Sequence, residues 1–424
     1  MKRETTREGF AYAEKSVDVA PIRYHYMDNL RALAMLAGIF FHAALAWTPL
    51  LSQLWLTADT EQSMIMGSLA WFSHLFRMPV FFLIAGFFAC YLVGKRGIGG
   101  FLKNRALRIL LPFILFLPLV WASLGATIGW AMENVDSPSP MLGLFIYMSQ
   151  VPDAPPPPVT TSHLWFLYVL FQFGLIYAVL ERTGAMTMRW TRVVKSVPFL
   201  AFALPLLLVP SLLSVTAPTP APEQFIPSAW YFGFFGVFFL LGAVIYRNQE
   251  VLAKIRPWAP WLAIISIILY AVFYSTLPKD VTLEQAMATQ AGPRFSWSHL
   301  GIAIMEAYIS VHMTLVCLAL GQTLLNRANS VMRLVADSSY WVYIIHLPVL
   351  FLIQFYLLDS EWNMWIQFLV SSFGTLAIGF VSYLVLVRWT PIGWLLNGRK
   401  RKSPSKPGPL GGEKVDPAPE QATA

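Results

Sequence analysis

The sequence has little charge and almost no cysteine. Only 12% of its 424 residues are charged and 57% are hydrophobic, whereas about 25% of the residues in a soluble domain are charged. So few charges cannot cover the surface of a soluble protein of this length. The two cysteines, Cys90 and Cys317, both fall inside apolar stretches, which argues against a disulfide framework and a cysteine-rich metal site. Because the first 20 residues are polar, we expect no cleavable signal peptide.

Lysine and arginine are missing from several segments between the apolar stretches. The segments that hold carboxylates but no basic residue are 49–67, 132–162, 217–228 and 359–363. Segment 276–298 fits this pattern less well, because it contains Lys279 and Arg294. The alternate segments carry the basic residues, and positive charge is retained on the cytoplasmic side during membrane insertion. The pattern therefore predicts a polytopic membrane protein with both termini in the cytoplasm.

Apolar stretches of about 20 residues, the length needed to cross a bilayer, recur along the chain. They lie near 30–48, 68–93, 109–131, 163–181, 196–216, 229–247, 258–275, 299–325, 338–358 and 364–388. The predicted fold class is all-α, a membrane bundle of about ten transmembrane helices. We divide the chain into a cytoplasmic N-terminal segment 1–27, a transmembrane domain 28–396 and a disordered basic tail 397–424. The net charge of +8 indicates contact with the lipid bilayer, and without a supporting motif it does not indicate nucleic-acid binding.

The first apolar stretch contains ionisable residues, which are costly inside a membrane and therefore functional candidates. Arg31 and His42 are separated by ten residues, which places them within about 20° around a helix and about 16 Å along it. They share one stripe with Met35 and Gly38, and Asp28 lies one turn from Arg31. The alternative is that these residues form no functional site. Arg31 would then extend to the lipid headgroups, and His42 would be hydrogen-bonded inside the bundle.

Further polar residues occur in other apolar stretches. His74 and Arg77 share a helix face, and an arginine this deep in a span belongs either to an internal ion pair or to a site. His163 is either an interfacial anchor or a site residue, and Glu306 and His346 also lie within predicted spans. No zinc-binding spacing is present, so we expect no metal. A cavity rich in histidine suits acid–base chemistry, because imidazole exchanges a proton near neutral pH.

Arg105 and Arg108 lie just before the third predicted span. Positive residues at this position are expected from topology alone. The alternative is a phosphate-binding pair, because guanidinium groups grip phosphate through two hydrogen bonds.

These motifs resemble those of a known family. Arg31-x10-His42 resembles the Arg/Lys-x10-His signature of the membrane-bound acyltransferase 3 family, and Arg105-x-x-Arg108 resembles its RxxR signature. Other blocks are similar to members that attach succinyl groups to periplasmic glucans: 27–31, 74–82, 162–167, 337–348 and 391–400. The resemblance implies an O-acyltransferase of the bacterial inner membrane. The resemblance implies no tightly bound cofactor. The implied donor is acyl-CoA, specifically succinyl-CoA, and the implied acceptor is a glucan or other glycan.

The resemblance also implies roles for individual residues. The phosphates of acyl-CoA would bind Arg105 and Arg108, and the thioester would reach His42, which acts as general base or accepts the acyl group itself. Arg31 and Asp28 would belong to the same catalytic group. From depth and charge alone, the residues expected to bind substrate are His74, Arg77, His163, Glu306 and His346.

The alternative function is a membrane transporter or flippase for a glycan or small polar substrate. Buried histidine, arginine and glutamate would then form a proton relay and a substrate site. Many transporters show internal repeats of their spans, and this sequence shows none. The sequence alone does not determine the acyl group, the acceptor or the oligomeric state.

Overall fold

The computed structural model describes residues 24–187, 195–288, 293–327 and 329–398. This part of the chain is all-helical and contains no strand, as the sequence predicts. The helices are α1 His25–Ala44, α2 Met64–Arg105, α3 Leu111–Asn134, α4 Pro140–Gln150, α5 Trp165–Arg182, α6 Leu204–Leu212, α7 Ala229–Arg247, α8 Glu250–Ile255, α9 Ala259–Thr276, α10 Leu283–Ala288, α11 Trp297–Leu324, α12 Ser330–Leu358, α13 Met364–Ser382 and α14 Pro391–Asn397. Most of the predicted N-terminal segment and basic tail lies outside the described residues.

Eight helical stretches in the described residues are long and apolar enough to cross a membrane. One of them runs from Met64 to Asn134 and includes two predicted spans, which are separated at Gly97, where φ is 67°. The predicted span 196–216 corresponds to a shorter apolar helix, Phe199–Leu212. The all-helical membrane character is confirmed, whereas the number of ten spans and the cytoplasmic location of the termini stay predictions.

The crossing of α2 and α7 is the most extensive helix contact of the bundle. A Cβ atom on Gly86 would lie 1.8 Å from the carbonyl oxygen of Phe239, and one on Gly242 would lie 1.8 Å from that of Leu83. Only glycine permits two helix backbones to approach this closely. Because α2 also packs on α1, α5 and α11, this crossing helps to set the position of the helices that carry the candidate site.

Four prolines free backbone carbonyls for contacts between helices. Proline has no N–H, so the carbonyl four residues earlier loses its helical donor and needs another inside a bilayer. For Pro79, Pro112, Pro205 and Pro348, a side chain from a distant part of the chain supplies that donor. The pairs are Ser310 Oγ to Leu75 O at 2.7 Å, Tyr340 Oη to Arg108 O at 2.9 Å, His312 Nε2 to Ala201 O at 2.9 Å and His163 Nε2 to Ile344 O at 3.0 Å.

The close approach of α2 and α7 gives a test of the fold. Gly86→Ala should force the two backbones apart, and overpacking of this kind costs about 1–3 kcal/mol. We expect a lower Tm than for the wild type, measured as the loss of monodisperse protein on heating in detergent.

Gly125→Ala is the matched control, because among the described residues no atom outside the local backbone of α3 would lie within 4 Å of the added Cβ. Its Tm should equal that of the wild type. Equal Tm values for the two variants would contradict the proposed role of the α2–α7 contact.

Candidate active site

Helix α1 presents one stripe of residues to two adjoining cavities. Arg31 and Met35 line a cavity of about 450 Å³, which we call the arginine cavity. Met35, Gly38 and His42 line a second cavity of about 60 Å³, which we call the histidine cavity. The residues common to the two linings are Met35, Phe81, Phe166 and Tyr343. The stripe predicted from helical spacing therefore connects two neighbouring cavities.

The arginine cavity is strongly positive. Its lining includes Arg31, Arg96, Arg105 and Arg108, and Asp337 is its one carboxylate among the described residues. Its volume falls within the range of about 300–1,000 Å³ that is typical of small-molecule sites. Because guanidinium groups bind phosphate through paired hydrogen bonds, the cavity suits a ligand with several negative charges.

The backbone between α2 and α3 brings these arginines together. Arg96 precedes Gly97, whose φ of 67° belongs to a region that favours glycine, and Arg108 lies in a π-helical turn, Ala106–Leu110. Such turns occur frequently at functional sites. The Nη1 atom of Arg108 donates to Leu395 O at 3.2 Å, which ties the turn to α14. Sequence reasoning missed Arg96, although the glycines around it were a signal that the helix could bend there.

Arg31 and Asp28 form the ion pair that their spacing predicts, with 3.5 Å between Nη2 and Oδ1. Arg31 lines the arginine cavity, whereas Asp28 lines neither cavity. In this structure Asp28 therefore acts on Arg31 and not directly on His42.

The histidine cavity brings together His42, Arg77, His163 and His346. The Nδ1 atom of His42 lies 2.9 Å from Nε2 of His346, and the two rings are nearly parallel, with 5.1 Å between their centroids. The ring of His163 packs edge-on against that of His346, with 4.9 Å between the ring centroids. These side chains come from α1, α2, the turn before α5, and α12. No group of three or more potential metal ligands converges within the described ranges.

Helix α12 holds two of the histidines through its backbone. His346 Nδ1 donates to Tyr343 O at 2.6 Å. His163 Nε2 donates to Ile344 O at 3.0 Å, the carbonyl that Pro348 leaves without a helical donor. In return, the hydroxyl of Tyr343 donates to the carbonyl of His163 at 2.6 Å. The rings of His163 and His346 are therefore fixed relative to the same turn of α12.

Arg77 places a positive charge beside these histidines. It is only 7% exposed, forms no ion pair within the described residues, and its Nε atom has no hydrogen-bond partner. Its guanidinium carbon lies 4.5 Å from the ring centroid of Phe41, and its Nη1 atom would lie 3.2 Å from a Cβ on Gly38. A buried cation without a carboxylate is suited to bind a negatively charged part of a ligand.

His74 and Glu306 lie beside the cavity and contact a loop. His74 Nε2 donates to Thr219 O at 2.8 Å, and the Glu306 carboxylate accepts hydrogen bonds from the backbone N–H of Thr219, at 2.8 Å, and from its hydroxyl. Neither residue lines the histidine cavity. In this structure both side chains hold the segment around Thr219, which belongs to segment 217–228, one of those without basic residues.

A buried histidine group adjoins an arginine-lined cavity, an arrangement that suits acid–base chemistry beside a binding site for an anionic ligand. The family model described as an acyltransferase domain matches residues 24–384, so the chain belongs to the acyltransferase 3 family and is an acyltransferase. The prediction based on the Arg31-x10-His42 and Arg105-x-x-Arg108 motifs is thereby confirmed at the level of the family. Membership favours the acyltransferase over the alternative transporter.

Two relatives share similarity over nearly the whole chain. The Glucans biosynthesis protein C of Escherichia coli O6:K15:H31 (strain 536 / UPEC) is 24% identical over 404 residues, which cover 91% of this chain and 98% of the relative. The Glucans biosynthesis protein C of Shigella dysenteriae serotype 1 (strain Sd197) is 25% identical with the same coverage. No solved structure matches the chain.

The contact between Pro348 and His163 gives a test of the site. Pro348→Ala restores an N–H that bonds to Ile344 O within α12 and competes with His163 Nε2. A neutral hydrogen bond contributes about 0.5–1.5 kcal/mol, so we expect an acyl-transfer rate up to about 10-fold lower. The Tm should be unchanged or higher, because proline disfavours a helix interior.

The control is Pro118→Ala on α3. Among the described residues, no side chain donates to the carbonyl of Ile114, four residues before Pro118, and Pro118 is exposed. This variant should keep the wild-type rate. Equal rates in the two variants would show that the freed carbonyl of Ile344 has no part in placing His163.

Proposed function

We propose that this protein is an O-acyltransferase of the bacterial inner membrane that transfers succinyl from succinyl-CoA to a hydroxyl of a periplasmic glucan. The observation that carries the proposal is the adjacency of the arginine cavity and the histidine cavity along α1. The similarity to proteins named Glucans biosynthesis protein C, over 91% of the chain, supports the glucan acceptor.

The donor would occupy both cavities. The phosphates of the coenzyme bind in the arginine cavity, with Arg105 and Arg108 as the central pair. The pantetheine arm passes the shared lining residues and brings the thioester to His42. The helical rise between Arg31 and His42, about 16 Å, gives the separation that the arm has to bridge.

His42 would act as general base. It takes the proton from the acceptor hydroxyl while the hydroxyl oxygen attacks the thioester carbonyl carbon. The tetrahedral intermediate then collapses, the C–S bond breaks, and the leaving thiolate receives the proton from His42. Because the bundle places both reactants beside one imidazole, positioning contributes to the acceleration. Acyl transfer to His42 itself is the competing route, and an acylated His42 peptide after rapid denaturation would identify it.

Arg77 supports a donor that carries its own carboxylate. Its guanidinium group is buried at the histidine cavity without an acidic partner within the described residues. The free carboxylate of a succinyl group would supply that partner through charge-assisted hydrogen bonds. An acetyl group would leave the charge of Arg77 uncompensated.

The proposal is tested by mass spectrometry of periplasmic glucans from cells that lack the gene and carry a plasmid copy. We expect the wild-type copy to add succinyl groups and His42→Ala to reduce their number by about 100-fold or more, because general base catalysis contributes about 10²–10⁴-fold. Membrane levels of both proteins are measured in parallel.

His299→Ala is the control for the loss of a histidine. His299 lies on α11 and lines none of the cavities described above, and its Nε2 atom has no hydrogen-bond partner in the described part of the chain. This variant should restore the wild-type level of substitution. If glucans from cells with His42→Ala carry as many succinyl groups as those from cells with the wild-type protein, the catalytic role of His42 is refuted. If the added mass is that of an acetyl group and not a succinyl group, the proposed donor is refuted.

The donor site is tested by titration of the purified protein with CoA. Arg105→Gln combined with Arg108→Gln removes two charged donors, each worth about 1.5–3 kcal/mol, so we expect the Kd to rise about 100-fold or more. Lys103→Gln removes the same charge from an exposed residue outside the cavity lining and should change the Kd by less than about 3-fold. An unchanged Kd in the double variant would eliminate the phosphate-binding role.

A further inference from the structure

The position of His42 alone does not show which of its nitrogen atoms accepts a proton. A neutral imidazole carries its proton on Nδ1 or on Nε2, and only the bare nitrogen is a base. Its hydrogen-bond partner decides between the two forms. For His42 that partner is His346, at 2.9 Å.

The backbone of α12 determines the proton position on His346. Its Nδ1 atom lies 2.6 Å from the carbonyl oxygen of Tyr343. A carbonyl oxygen can only accept a hydrogen bond, so Nδ1 of His346 carries a proton. In the neutral ring, Nε2 of His346 is then bare and can only accept.

The contact between the two rings then has one direction. Since Nε2 of His346 accepts, Nδ1 of His42 donates. The reverse direction would require His346 to carry protons on both nitrogens and a full positive charge. His346 is only 3% exposed, and the cavity already contains Arg77 and has no carboxylate in its described lining. A second buried cation there is costly, so the neutral arrangement prevails.

From this hydrogen-bond chain we propose that His346 is a positioning residue that holds His42 in the form with a protonated Nδ1 and a bare Nε2. This inference rests on the proposed function of His42 as the base. The acceptor proton moves to Nε2 of His42, which becomes an imidazolium while its Nδ1–H bond to His346 is kept. The same proton then leaves to the thiolate of the coenzyme, and His346 neither gains nor loses one.

A positioning role predicts that kcat changes more than KM. His346→Leu removes the acceptor for Nδ1–H, and His42 is then free to adopt the form with a protonated Nε2, in which Nε2 can no longer accept the proton of the acceptor hydroxyl. In serine proteases, the loss of the group that fixes the histidine tautomer lowers kcat by about 10⁴-fold. For His346→Leu we expect a decrease in kcat of about 100-fold or more, with the KM for acyl-CoA within about 2-fold of the wild type.

His346→Gln is the conservative variant. The side-chain carbonyl of glutamine can accept the hydrogen bond from Nδ1 of His42 but cannot take up a proton. We expect its kcat to exceed that of His346→Leu by about 10-fold or more. Equal losses in the two variants, or a loss confined to KM, would overturn the positioning role.

A spectroscopic measurement separates this inference from the proposed function. In protein labelled with ¹⁵N-histidine, the signal that disappears in His42→Ala should show a protonated Nδ1 and a bare Nε2. In His346→Leu, the same signal should shift toward a protonated Nε2. A protonated Nε2 in the wild type, or an unchanged signal in His346→Leu, would refute the inference.

The two ideas fail through different results. Retained acyl transfer in His42→Ala would refute the proposed function, whereas the ¹⁵N signal would still report the tautomer. If His42 is essential and His346→Leu keeps its kcat, only the positioning role of His346 fails.

Discussion

A backbone carbonyl that loses its helical donor inside a bilayer has to find another one, and this requirement organises much of the bundle. Four of the carbonyls that prolines free, at Pro79, Pro112, Pro205 and Pro348, each accept a hydrogen bond from a side chain of a distant segment. At Pro348 the donor is His163, a member of the histidine cavity. At Pro112 the carbonyl belongs to Arg108, which lines the arginine cavity, and the donor is Tyr340. The bonds that satisfy the backbone therefore also fix the side chains of the site.

Helices α1 and α2 join the two cavities. Helix α1 carries Arg31 at the arginine cavity and His42 at the histidine cavity, while α2 carries Arg105 and Arg77 in the corresponding positions. Because α2 is itself locked against α7 by backbone contact at glycine, the two cavities are held at a fixed separation. A donor with a charged end and a reactive end fits such an arrangement, since each end meets its own group of residues.

The sequence predicted the features that depend on local spacing. Helical periodicity placed Arg31 and His42 on one stripe, and the distribution of basic residues and apolar stretches indicated an all-helical membrane bundle. The contact of His42 with His346 joins residues 304 positions apart, so no local pattern could predict it. His74 and Glu306 are polar residues within spans, but tertiary packing directs both toward Thr219. Arg96 reaches the arginine cavity only because the helix bends at Gly97.

A histidine as the partner of His42 is compatible with the charge of Arg77 in the same cavity. A carboxylate in the place of His346 would also orient His42, but in this buried cavity it would pair with Arg77. That pairing would neutralise the positive charge proposed to bind the carboxylate of the donor. In the proposed arrangement, a neutral His346, fixed by the carbonyl of Tyr343, directs the proton on His42 and adds no charge. The proposed orientation of the base and the proposed binding of an anionic acyl group thereby fall on separate residues within one small cavity.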